Sequence, residues 1–171
     1  EAIPGHHYQL SLQQENNTLP EFLHPESLGV FVEGWALYAE SLGKELDLYD
    51  DPIQYFGMLS MEMHRAIRLV VDTGMHSKGW TREQAIQYSL DHEAESEASI
   101  ISEIERYMAT PGQALSYKMG QIKIRTLRTK AEQKLGAQFD VRAFHSQVLN
   151  SGSLPLVLLE EKIENWINSQ L

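Results

Sequence analysis

The chain has no cysteine, which removes a disulfide framework, a thiol nucleophile and thiolate metal ligands at once. It also lacks any apolar run near the roughly 18 residues that a membrane-spanning helix needs. Basic residues are scarce: 14 Lys and Arg stand against 24 Asp and Glu, for a net charge of −10. With no basic field to attract phosphates, nucleic acid and anionic membrane surfaces are excluded as partners. No G-x-G-x-x-G, P-loop or nucleophile-elbow pattern occurs, and there is no internal repeat or low-complexity tract. None of these absences assigns a compartment, so localisation, cytoplasmic or exported, stays open. What remains is 171 residues with 42% hydrophobic content, enough for one core, and the expectation is a single helical domain over residues 1–171.

The chemistry is concentrated in the first residues, Glu1-Ala2-Ile3-Pro4-Gly5-His6-His7-Tyr8, where a carboxylate is followed by two adjacent imidazoles. In the H-E-x-x-H helix of zinc peptidases, two histidines share a helix face and the glutamate beside the first is the general base. The expectation is that a histidine precedes Glu1 and that the chain is the C-terminal part of a longer protein. On a regular helix such a histidine would lie roughly 9 to 10.5 Å from His6 or His7, too far for two nitrogens each about 2 Å from one zinc. Pro4-Gly5 supplies the break that brings them together, since proline lacks the helical N–H and glycine tolerates unusual dihedrals. Either His6 or His7 can then be the second ligand.

Periodicity and punctuation predict an all-α fold of about seven or eight helices. The first takes residues 5–17. Residues 19–27 read as a connection, because Pro20 and Pro25 flank Glu21-x-x-His24 and deny that di-iron-like spacing a continuous helical face. A long apolar helix over 28–48 places Glu33 and Glu40 seven residues apart on one stripe. A glutamate among such neighbours is costly to bury unless paired or metal-bound, which makes Glu33 the candidate third ligand. Glu40 is the candidate that orients a ligand histidine.

Asp51-Pro52 opens a helix ending at Gly74, with an Arg68–Asp72 ion pair and with His76 in the loop beyond. Thr81-Arg82-Glu83-Gln84 is a capping box. The acidic run Asp91–Glu97 is expected to be a solvated face. The longest pattern, 113–135, stops at Gly136 and carries Tyr117, Gln121, Arg125 and Arg128 along one polar stripe. Tyr117 is suited to donate to an oxyanion, as is His76, and Arg125 and Arg128 to hold a peptide carboxylate. The bland alternative is a core-edge tyrosine with surface arginines. Asp140 and Ser153 are expected to cap two closing helices.

Four segments together resemble a known family: Glu1-Ala2-Ile3-Pro4-Gly5-His6-His7; Glu33-Gly34-Trp35-Ala36-Leu37-Tyr38-Ala39-Glu40; Asp72-Thr73-Gly74-Met75-His76 with Gly79-Trp80; and Arg106-Tyr107 through Pro111-Gly112-Gln113-Ala114 to Tyr117. They look like the bacterial domain of unknown function 885, and Phe31-Val32-Glu33 is also similar to the third-ligand segment of thimet-oligopeptidase-type enzymes. The resemblance implies a zinc metallopeptidase-like hydrolase acting on peptides, with Glu1 activating water, His6 or His7 and Glu33 among the metal ligands, and His76 and Tyr117 steadying the oxyanion. In this chain by itself zinc is expected to be weakly bound or absent, and the chain inactive. The competing expectation is a non-catalytic helical binding module without a competent metal site.

Overall fold

In the computed structural model, which describes residues 2–25 and 27–171, every regular element is helical. Eight α-helices follow one another: α1 His6–Glu15, α2 Gly29–Ser41, α3 Pro52–Lys78, α4 Arg82–His92, α5 Glu97–Ala109, α6 Leu115–Leu135, α7 Val141–Leu149 and α8 Leu156–Gln170. The all-α expectation therefore holds. No helix among the described residues is long and apolar enough to cross a membrane. The chain divides into two compact units, residues 42–118 forming one and residues 1–41 with 119–171 the other.

The first unit, residues 42–118, is built on α3, α4 and α5. Asp51 caps α3 through its carboxylate, which accepts from the Ile53 N–H, and Pro52 occupies the first helical position. Ile67 and Val71 of α3 pack with Ala85 and Ile86 of α4 and with Ile100, Ile104 and Tyr107 of α5. Each such side chain taken fully out of water contributes about 1.5–3 kcal/mol. The Thr81 capping box forms as expected, with Thr81 and Gln84 exchanging hydrogen bonds.

The helix containing His76 does not end at Gly74. It runs on to Lys78 and stops at Gly79, in the left-handed region at φ 70°, where the N–H groups of Gly79 and Trp80 both turn back to the Gly74 carbonyl. Gly74 is there for room, because a Cβ on it would lie 2.5 Å from the Trp80 ring. His76 is thus a helical residue.

In the second unit, residues 1–41 with 119–171, α2 is apolar on nearly every side, and Phe31, Trp35 and Tyr38 are among the largest fully buried side chains. They are joined by Ile124 and Leu127 of α6, Phe144 and Val148 of α7, and Leu159 and Ile163 of α8. α2 and α6 touch backbone to backbone: a Cβ on Gly120 would sit 1.9 Å from the Val30 carbonyl oxygen. The Asp140 cap forms, its carboxylate accepting from the Arg142 N–H at 2.7 Å. Ser153 caps nothing. Its hydroxyl accepts from the Leu28 N–H at 2.8 Å just before α2, and α8 starts after Pro155.

Candidate functional site

Residues 2–5 are not helical, and α1 begins at His6, directly after Pro4-Gly5. Two hydrogen bonds shape this turn: the Tyr8 N–H reaches back to the Ala2 carbonyl at 3.1 Å, and the Trp35 indole N–H donates to the Pro4 carbonyl at 2.7 Å. Trp35 is fully buried in α2, so the turn is held to the helix that carries Glu33.

The result is a close approach between two of the expected ligands. His6 Nε2 and Glu33 Oε2 are 3.3 Å apart, with each side chain about a quarter exposed. The other ring nitrogen of His6 faces Gln9 Oε1 at 3.5 Å, and Gln9 itself is buried. An amide oxygen only accepts, so in that contact Nδ1 is the donor and Nε2 is the ring atom that faces the Glu33 carboxylate. A proton on Nε2, or a cation between the two atoms, would make the contact attractive. His7, the other candidate, is exposed. Glu40 is exposed near the end of α2. Glu1 lies outside the described residues, and among those described no group of three or more metal-ligating side chains converges.

Gln9 was not anticipated, although its place three residues after His6 in a helix is a readable signal. Its carbonyl fixes the His6 ring in the way that outer partners of metal-binding histidines commonly do.

The polar stripe of α6 is taken up by α2 within the same unit. Gln121 donates to the Leu37 carbonyl at 3.4 Å, and Arg125 donates to the Ser41 hydroxyl while its guanidinium lies over the Tyr38 ring. Arg128 donates to Tyr38 Oη at 3.2 Å and to Glu132 at 2.8 Å. Tyr38 Oη in turn meets His145 Nε2 at 2.7 Å, across 107 residues of sequence that carry no local hint of the pairing.

His76 and Tyr117 belong to the unit of residues 42–118. His76 Nε2 donates to the Tyr107 carbonyl at 3.1 Å, which occupies that N–H in tying α3 to α5. Tyr117 is half-buried, with the Arg68 and Arg65 guanidinium groups 4.7 and 5.2 Å from its ring centre, and its hydroxyl accepts from Gln113 at 3.4 Å.

The same unit holds a buried polar network that the sequence reading passed over. Glu93 is not solvated: its side chain is 4% exposed and its carboxylate meets His64 Nδ1 at 2.5 Å. Arg68 is not paired with Asp72. Its Nη2 donates to Glu103 and its Nε to Tyr107 Oη, at 2.8 and 2.7 Å, while Asp72 accepts from the Gly112 N–H at 3.1 Å. The Glu103 carboxyl is pulled down to about 2 by its hydrogen bond from Arg106, helped by the Tyr107 hydroxyl and the charge of Arg68. Burial pushes the Tyr107 phenol up, so it stays a donor to Glu103.

A family profile described as bacterial protein of unknown function (DUF885) matches residues 1–163. Two solved structures share the fold: a protein provisionally named a lipoprotein from Colwellia psychrerythraea, at 45% identity and TM-score 0.95 over 99% of this chain, and one of unknown function, named in the same way, from Shewanella oneidensis, at 30% identity and TM-score 0.86 over 94%. The match takes in 29% of each of those chains, so this chain spans less than a third of their length. Among curated proteins, none matches.

Proposed function

The chain belongs to the bacterial DUF885 family, and we propose that within it the chain carries the metal-holding part of a zinc-dependent, peptidase-like hydrolase. The observation behind the reading is the His6–Glu33 pair at 3.3 Å. A ring nitrogen and a carboxylate oxygen bound to one tetrahedral zinc, each at about 2.0–2.2 Å, stand about 3.3–3.5 Å from each other, whereas a direct charge-assisted hydrogen bond closes to about 2.7–2.9 Å. A proton on Nδ1, facing Gln9, would leave Nε2 free to ligate. Zinc, when bound, supplies the Lewis acidity that turns water into a nucleophile near neutral pH and polarises a peptide carbonyl. His6 and Glu33 would hold the ion, with Gln9 beside the other nitrogen of the His6 ring. The Glu1 carboxylate accepts the proton that the attacking water gives up.

Elemental analysis of the intact gene product, purified without chelator, tests this. The expected result is near one zinc per chain, falling to trace in His6→Ala and Glu33→Ala and unchanged in His7→Ala. Glu1→Gln should keep the zinc and lose peptide hydrolysis; loss of both together would make Glu1 a ligand. Zinc far below stoichiometry in the unaltered protein would overturn the hydrolase and favour the non-catalytic helical module.

A further inference from the structure

α3 has two apolar faces and only one of them is covered. Ile67 and Val71 point into the core with α4 and α5. About a quarter of a turn round the helix, Phe56, Leu59, Met63, Ala66 and Val70 form a second stripe. Their spacing of three, four, three and four residues is that of a coiled-coil seam. Phe56 is 65% exposed and Met63 51%. Leu46 and Leu48, before the helix, and Ile53, in its first turn, are also more than half exposed. Beside the start of α3 lies a recess of about 490 Å³ lined by Lys44, Asp47, Tyr49, Asp50, Pro52 and Tyr55.

A soluble protein rarely leaves a continuous apolar strip of this kind in water. Its period also specifies what covers it. A 3,4 repeat accepts the ridges of another α-helix crossing at about 20°, 8–10 Å away, and matches neither a strand nor a flat surface. The two solved relatives say where such a helix can come from. Both reproduce this chain's fold, yet more than two-thirds of each of their polypeptides lies outside the matched segment.

We propose that the Phe56–Val70 seam of α3 is a docking face for an amphipathic helix from that remaining part of the family's longer polypeptide, the recess at Tyr49 and Tyr55 receiving a large side chain at one end. The inference does not depend on the metal site.

Hydroxyl-radical footprinting of the intact gene product, compared with the 171-residue chain alone, reads this directly through side-chain oxidation. Phe56 and Met63 should be oxidised at least tenfold more slowly in the intact product. Met61, also exposed but on the opposite side of α3, should react equally in both and serves as the internal reference. Met63→Glu in the intact product should restore fast oxidation of Phe56. Equal rates at Phe56 and Met63 in the two proteins would overturn the proposal. Protection in the 171-residue chain that grows with its concentration would also overturn it, by making a second copy the occupant.

Discussion

Among single residues, Glu103 carries the clearest electrostatic consequence. Its folded carboxyl titrates at about 2, below the ordinary value of 4.5, because Arg106, Tyr107 and Arg68 all stabilise the anion. A depressed carboxylate contributes stability that is fully present above about pH 4.5 and is lost as the pH falls toward 2. The side chain is 27% exposed, so solvent screening trims the effect to about 1–2 kcal/mol. Glu103→Gln should therefore lower the urea midpoint at pH 7 and flatten the loss of stability between pH 5 and pH 2; an unchanged acid limb would show that Glu103 is not its source. If the proposed zinc site is right, Gln9→Ala should keep the fold and weaken zinc about ten- to a hundredfold, while Glu33→Ala removes it, as zinc titration of the two variants would show. Glu33 and the His6-His7 pair stood out in the sequence because a glutamate in an apolar helix and a histidine after Pro-Gly each break a local rule. Glu93 was misread because its burial comes from His64, 29 residues away, and not from its own acidic neighbours.

At the level of elements, the glycines separate packing from conformation. Gly120→Ala would drive a Cβ to 1.9 Å from the Val30 carbonyl and 2.6 Å from Gly34 Cα, both backbone atoms with nowhere to move. The expected cost is about 2–4 kcal/mol, with weaker zinc binding as well, because α2 carries Glu33. Gly57→Ala is the contrast, since nothing lies within 4 Å of its Cβ in α3 and removing a helical glycine stabilises by about 0.5–1 kcal/mol. Urea midpoints of the two variants should move in opposite directions; movement in the same direction would refute the packing argument. The end of α3 teaches the same distinction. Gly74 and Gly79 look alike as helix stops, and only the seat of Trp80 on Gly74 decides that the second is the stop.

For the whole molecule, apolar burial holds the helices of each unit. Chelator should leave the helical circular dichroism of the 171-residue chain unchanged, and a large loss of helicity would mean that an ion is structural. The sequence by itself determined the all-α class and the Thr81 and Asp140 caps, because periodicity and capping act within a few residues. Only the tertiary structure decided that His6 rather than His7 faces Glu33, that Ser153 holds the start of α2, that Arg125 and Arg128 are engaged by Tyr38, and that His64 is flanked by Glu93 and Glu103. Each of those partnerships joins residues far apart in the chain. A side chain's partner at such a separation is set by how helices pack, and no local rule of spacing or propensity encodes it.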